Sequence, residues 1–399
     1  MPSYFARLQN RAEVYYNQQK FSEAQDCYLE LLPTRPDSAS LWANIAACQA
    51  EQGKLRAAIN SARRAIELDP DHVRAHITLG MMRLQLGNYT GGWPEYEWTG
   101  ELSQRFKRLP ESHRWAGEDL SGQVLLLVDE QGYGDSIQFV RFAQRLIDQG
   151  VTIYHDVKPP LRRLFQHNPH LGEALDNGES RPFTKWSRLL SVPRWLEVKE
   201  AELCPEMPYL KAPPLPDDSV IHSANGMKVG VIWRGSPANS RDEIRSVGIS
   251  GLAPLLEISR SHAVSFFHLN YQSFAPEIEE AGLSDCVQEL DHEVDDFCDL
   301  AAAINAMDLV ICIDTAVAHL AGALGKECWC LTSHIADWRW GRIGTESPWY
   351  PNTKLYRQKE SGNWTLPVET VKHQLINQLQ GKITIRAGGE KNLTFSIKA

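Results

Sequence analysis

Residues 124–139 read VLLLVDEQGYGDSIQF, and the order of apolar run, glycines and polar opening in this stretch decides the fold. The run 124–130 is short and continuously apolar before its two acids, the pattern of a strand buried on both faces. Gly132-Tyr133-Gly134 then reads as a turn, and 136–149 as a helix. Ile137, Val140, Arg141 and Leu146 are spaced for one helical face and its flanks. Residues 151–154 read as the next strand. Strand, helix and strand at this spacing predict a parallel βαβ unit.

The alternation resumes downstream. Residues 211–218 (KAPPLPDD) are proline-rich and acidic, which predicts a linker between lobes. KVGVIW at 228–233 opens a second series. Strands are expected at 263–269, 309–313 and 328–331, and helices at 252–259 and 299–306. Two Rossmann-like lobes facing each other across a cleft are the architecture this implies.

The first hundred residues differ in kind. Pro36 and Pro70, Ala24 and Ala58, and Leu8 and Trp42 each lie 34 positions apart. That is the period of tetratricopeptide helical hairpins. A third copy continues with Leu79, Gly80, Gly87, Tyr89 and Tyr96, while Tyr28 and Tyr96 fill the space that small residues leave. Three stacked repeats bury a continuous core and leave a concave groove of the kind used for peptides or protein partners. Capping of the next domain and self-association into a homo-oligomer are the alternatives. The expected organisation is therefore an all-α repeat domain over 1–110, one α/β lobe over 118–218, a second over 226–380, and a peripheral tail over 381–399.

A chain of 399 residues exceeds one ordinary core, and a formal charge of −9 argues against a nucleic-acid-binding surface. The longest apolar stretch, 309–324, is interrupted by Asp314 and His319, so no membrane span is expected. The start MPSYFARLQNRAEVYY has none of the features of a signal peptide. Eight cysteines without paired metal-type spacing point to free thiols in the cytoplasm, with no metal site.

Four places could carry chemistry. Gly132 and Gly134 suggest a dinucleotide turn, but a third glycine is missing and Asp135 would repel a pyrophosphate at the helix start. Asp135 can instead act as general base, or simply cap the helix, or both. Glu130 is the runner-up base. The second place is DLVICIDTAVAHLAGALGK (308–326). Its strand ends at Asp314, and the amides of Thr315, Ala316 and Val317 open a helix suited to a diphosphate. His319 lies one turn in, where a lone histidine is more often a packed core residue than a ligand.

The third place is Trp233-Arg234-Gly235-Ser236 with Arg241, Arg245 and Ser246, where arginines at strand ends can neutralise phosphates. A surface salt-bridge cluster with Asp242 and Glu243 is the plainer account. Fourth, Asp337-Trp338-Arg339-Trp340 and SPWYP (347–351) could wall the cleft, stack on a sugar or base, or pack one lobe on the other. Gln138 and Gln272 complete the candidate cleft set.

Taken in order, EQGYGDSIQFVRF, VGVIWRGSP with Arg245-Ser246, DTAVAHLAGA, DWRWGR and SPWYP resemble the tetratricopeptide-linked group of glycosyltransferase family 9, as does the junction GWPEYEW (92–98). The catalytic bodies of that group are similar to ADP-heptose:lipopolysaccharide heptosyltransferases. The resemblance implies a GT-B fold and a metal-independent, inverting hexosyl- or heptosyltransferase using a nucleotide-sugar donor and no cofactor. It implies Asp135 as base, Arg245 at the donor diphosphate, and Asp314, Thr315, Ala316 and His319 as the donor set, with Ala316 where heptosyltransferases carry glycine. Three functions remain open: transfer to a protein presented by the repeats, transfer to a saccharide or lipid-linked acceptor, and a non-catalytic scaffold or nucleotide-sugar sensor.

Overall fold

The computed structural model describes residues 4–204, 207–237, 239, 241–270, 274–290 and 293–386, with side chains up to residue 381. Six helices come first: α1 (Tyr4–Asn17), α2 (Phe21–Leu31), α3 (Ala39–Glu51), α4 (Leu55–Leu68), α5 (Val73–Gln85) and α6 (Tyr89–Tyr96). They form three hairpins. Leu8, Ala12, Ala24, Tyr28 and Leu31 make the core of the first, on which Ile45 of α3 packs, and alanines at 43, 65 and 75 allow the next helices to close up.

The turn inside each hairpin holds one residue with left-handed backbone: Gln19 (φ 60°), Gly53 (φ 70°) and Gly87 (φ 77°). These positions are one period apart, so the three turns line one edge of the stack. That edge sits on the α/β body. Gln19 Nε2 donates to Glu243 (3.4 Å), Arg241 Nη1 to Glu51 (3.3 Å), and Gln85 Nε2 to the Ala336 carbonyl (3.1 Å).

The first α/β lobe contains β1 (Val124–Val128), α7 (Tyr133–Phe139), α8 (Ala143–Ile147), β2 (Thr152–Asp156), α9 (Pro159–Gln166), β3 (Glu173–Ala174), β4 (Lys185–Arg188) and α10 (Val192–Trp195). Its sheet is parallel with order β3-β2-β1-β4, and Leu125 pairs with Ile153 on one side and Lys185 on the other. The second lobe opens with β5 (Met227–Val231), α11 (Asp242–Arg245), α12 (Gly248–Leu256), β6 (Val264–His268), α13 (Ala275–Glu280) and β7 (Val287–Glu289). It continues with α14 (Phe297–Asn305), β8 (Leu309–Ile313), α15 (Ala316–Ala323), β9 (Cys328–Thr332), β10 (Thr353–Arg357) and α16 (Thr365–Arg386). This sheet is also parallel, with order β10-β9-β8-β5-β6-β7. Numbered within the lobe, that is the Rossmann order 3-2-1-4-5-6. Repeats followed by two Rossmann-type lobes are the GT-B architecture that the sequence predicts.

Two expectations change. The helix after β1 starts at Tyr133 rather than 136, and a 3₁₀ turn at Val140–Phe142 divides it from α8. Gly132 is its N-cap and Gly134 already lies in its first turn. The tail expected from 381 is also misplaced at its start, because α16 runs unbroken to Arg386. Residues 387–399 lie outside the described residues.

The third repeat is inseparable from both lobes. Tyr89, Trp93 and Tyr96 of α6 are all buried. Trp93 packs edge-on to Phe139 of the first lobe and Trp338 of the second, and its Nε1 donates to the Val198 carbonyl (2.9 Å). Arg141 ties the lobes together below, donating to the carbonyls of Leu203 (2.8 Å) and Trp349 (2.9 Å) and to the Tyr209 hydroxyl (3.0 Å).

Candidate functional site

In a Rossmann sheet, ligands bind beyond the carboxyl ends of the strands where the strand order reverses. Here that point lies between β5 and β8. β5 leads into Trp233, Arg234 and Gly235; β8 leads into Asp314 and Thr315. Arg245 bridges the two ends, its Nη1 donating to the Asp314 carbonyl (2.9 Å) and its Nε to Asp242 (3.2 Å). Ser246 Oγ accepts the Gly235 amide (3.1 Å) and donates to Asp242 (3.1 Å). Of the expected salt-bridge cluster only the Arg245–Asp242 pair forms, and it is largely buried; Arg241 pairs with Glu51 and Glu243 accepts from Gln19, both on the arm.

Thr315 is the N-cap of α15, in extended conformation (φ −141°, ψ 177°), and caps nothing with its side chain. Its Oγ1 is buried without a partner. The amides that open the helix have no carbonyl behind them, so an unsatisfied hydroxyl and a positive helix terminus share one spot. Burial pushes the Asp314 carboxyl up to about 6 and nearby Asp337 adds to this, while Trp340, Arg245 and Arg339 oppose them.

Asp135 comes to this region from the other lobe. Its Oδ2 accepts the Gly132 amide (2.8 Å) and its Oδ1 pairs with Arg339 Nη2. Burial pushes its carboxyl up, against the pull of Arg339 and the Gly132 amide. A β-carbon on Gly134 would lie 2.7 Å from His319 Cδ2 and 3.3 Å from Ala316 Cα, so the first turn of α7 rests directly on α15. An open cleft is expected between Asp135 and α15, yet the lobes touch there because glycine lets the two helices approach. Two cavities, of about 560 and 270 Å³, lie on the first lobe, beside Asp176 and Arg181 and beside Trp115 and Glu197.

Other expected cleft residues are packed away. Trp233 is buried and stacks on His268 at 4.0 Å, and Trp338 and Trp340 are equally buried. Trp338 packs on Trp93 and Tyr96 of the third repeat, while Trp233 and Trp340 pack inside the second lobe, on His268 and on His319 and Tyr350. Gln138 is buried too, accepting from Arg339 Nε (2.7 Å). Glu130 is bound to Arg188 in a buried ion pair (2.7 Å) and is not a free base. Arg234 is about half exposed, 3.5 Å from Glu277. Asp337 caps the turn Trp338–Trp340 and accepts from Arg339. Gln272 lies outside the described residues. Among the described residues, no three His, Cys, Asp or Glu side chains group as metal ligands, and no helix is long and apolar enough to cross a membrane.

His319 donates to or accepts from Tyr350 through Nδ1 (2.9 Å) and stacks on Trp340. Burial lowers it to about 3, so it is neutral near pH 7 and adds no charge to an anion site. Its sign for stability follows. Between 6.5 and about 3 the unfolded ring binds a proton that the folded ring refuses, so this side chain costs stability as pH falls. Relative to His319→Gln, the wild type should lose about 1.4 kcal/mol per pH unit across that window. Urea melts of both proteins from pH 7 to 4.5 check this; a constant difference would mean that the ring is charged when folded.

Tyr96 was expected only to fill space in the third repeat, and Arg339 only as part of the aromatic segment 337–340; neither was expected beside Asp135. A charged residue between two tryptophans was the available signal for Arg339.

Residues 10–58 and 49–92 match the tetratricopeptide repeat family. The helical arm is a stack of tetratricopeptide repeats. The arm is similar to the Sgt2 TPR domain from Aspergillus fumigatus (26% identity, 27% of this chain and 75% of that one, TM-score 0.24). Across most of its length the chain is similar to Protein FlbA of Caulobacter vibrioides, 26% identical over 84% of this chain. It spans 61% of the length of that relative. It is also similar to E. coli ADP-heptose lps heptosyltransferase II (13% identity, 65% of this chain and 99% of that one, TM-score 0.44).

Proposed function

We propose that the protein transfers a sugar from a nucleotide-sugar donor to an acceptor hydroxyl, with inversion and without a metal. The observation that carries this reading is the meeting of two unlike groups. Arg245 and the open N-terminus of α15, with its unpartnered Thr315 hydroxyl, lie at the switch point of one Rossmann sheet. Asp135 reaches the same region from the other lobe. A nucleotide diphosphate suits the first pair: its charge meets a guanidinium and helix amides. A carboxylate suits the acceptor.

In the proposed step the acceptor oxygen bonds to the anomeric carbon as its proton passes to Asp135. The bond from that carbon to the diphosphate oxygen breaks, and its electron pair leaves with the nucleotide, stabilised by Arg245 and the α15 amides. Substrate entry requires α7 and α15 to part, since Gly134 now rests on Ala316 and His319.

A polypeptide acceptor on the arm is the favoured substrate class, because the arm's turn edge adjoins α11 and its N-cap, which carry Arg245 and Arg241. A saccharide or lipid-linked acceptor is the alternative, and mass spectrometry of surface proteins with and without the gene product separates them. A donor of this kind, and cysteines of which seven are buried free thiols, favour the cytoplasm. The second reading, a nucleotide-sugar sensor without catalysis, is favoured by the engagement of both Asp135 oxygens.

Calorimetric titration with a panel of ADP-, GDP-, UDP- and CMP-sugars tests the donor site. Arg245→Ala should weaken the best ligand on the order of 10- to 100-fold, the loss expected for a charge-assisted contact, in a protein that remains folded by circular dichroism. A wild type that binds none of the panel, or a variant that binds as tightly, would defeat the reading.

A further inference from the structure

Resting on the transferase reading above, we propose that Arg339 is a positioning residue for Asp135, and that Tyr96 makes the tetratricopeptide arm a working part of the site. The Arg339 side chain is buried and spends its planar set of donors in four directions. Nε donates to Gln138 Oε1 (2.7 Å) on α7, Nη1 to Asp337 (2.9 Å), and Nη2 to both Asp135 and the Tyr96 hydroxyl (3.3 Å). Its guanidinium lies over the Trp338 ring at 4.3 Å. Asp337 also accepts the Arg339 amide (3.0 Å), so the arginine is fixed from its own turn, from the opposite lobe and from the arm.

Stability gives a weak reason for such an arrangement, because a buried ion pair is often no better than apolar packing of the same volume. Orientation of a base gives a strong one. Each carboxylate oxygen of Asp135 uses one lone pair on its present donor and retains another for an incoming proton. The arm acts at a second point: the Tyr96 hydroxyl also donates to Gln131 Oε1 (3.1 Å). Gln131 holds left-handed backbone (φ 54°) immediately before the Gly132 cap of α7. Tyr96 therefore touches both the arginine and the turn that aim the base.

The charged and titratable groups around Asp135 are Arg339 and Asp337 from the 337–340 turn, Lys158 at the start of α9, Tyr96 from α6, Glu130 from the loop after β1, and neutral His319 from α15. Arg339 is the largest of the influences that oppose burial of the carboxyl, so its removal should move the Asp135 titration to higher pH.

The test uses the full chain with Arg339→Gln, Arg339→Lys and Tyr96→Phe. Four quantities are read for each: melting temperature, donor Kd, kcat against pH, and the titration of ¹³Cγ-labelled Asp135. Arg339→Gln should keep donor Kd, lower kcat on the order of 100-fold, the scale of a misplaced catalytic group, and shift both the acid limb and the carboxyl titration upward. Arg339→Lys should recover part of kcat and most of the titration. Tyr96→Phe should lower kcat with Kd held, at a temperature well below its melting transition.

An unchanged Asp135 titration or kcat in Arg339→Gln overturns the proposal. So does a loss of kcat that tracks melting temperature in all three variants without rescue by lysine. A wild type that turns over no nucleotide sugar defeats the transferase reading itself and the catalytic half of this proposal with it. The carboxyl titration still decides, in that case, whether Arg339 governs Asp135.

Discussion

Asp135→Asn is expected to abolish sugar transfer while nucleotide-sugar binding and the fold persist. The amide has the shape of the carboxylate and can still accept from the Gly132 N–H, but it cannot take up a proton from an acceptor hydroxyl. Loss of a general base costs about 10²- to 10⁴-fold in rate. Arg339 would not be left as an uncompensated buried charge, because Asp337 pairs with the same guanidinium at 2.9 Å. Donor contacts at Arg245 and α15 do not involve residue 135, so donor Kd should hold. Single-turnover rates and calorimetric Kd on the same preparations separate the two effects. Full turnover in the variant would remove Asp135 from the reaction; joint loss of binding would move it into the donor site.

The parallel sheets were legible because strands buried on both faces are continuous apolar runs, and 309–313 coincides with β8 for that reason. The strands at 124–130 and 263–269 match β1 and β6 to within two residues at each end. Short strands toward the sheet edges left no such run: β3 has two residues, β7 three, and β10 mixes buried and exposed positions. Periodicity also misread Gly132-Tyr133-Gly134 as a turn. What makes Gly134 necessary is helix α15, almost two hundred residues on, and a local pattern carries no trace of a distant neighbour. The same limit hid the Arg339 network, whose partners lie 204 and 243 residues away in sequence. Residue chemistry singled out Asp135, Arg245 and Asp314, of which Arg245 and Asp314 are joined by a hydrogen bond. It could not show that Asp135 is already paired, nor that Trp338 and Trp349 lie in the seam rather than in a ligand wall.

That seam sets the second large effect. A body lacking residues 1–96 is expected to fail as a soluble folded protein, whereas tandem repeats commonly behave as detachable units. The reason is what α6 covers. Trp93 packs on Phe139 and Trp338, Tyr89 on Trp349, and Tyr96 on Trp338, all of them buried rings. Deleting the arm would uncover one contiguous aromatic surface shared by both lobes, and such patches drive aggregation. Trp93→Ala isolates the largest piece of that contact. A buried tryptophan truncated to alanine typically costs about 3–5 kcal/mol, a large share of an ordinary domain's 5–15, and here the Val198 carbonyl also loses its donor. Equilibrium unfolding of Trp93→Ala should therefore show a single transition at much lower denaturant, with arm and body melting together. If the truncated body were instead soluble and melted like the full chain, the arm would be an appendage, and its place between the lobes would have no mechanical consequence for them.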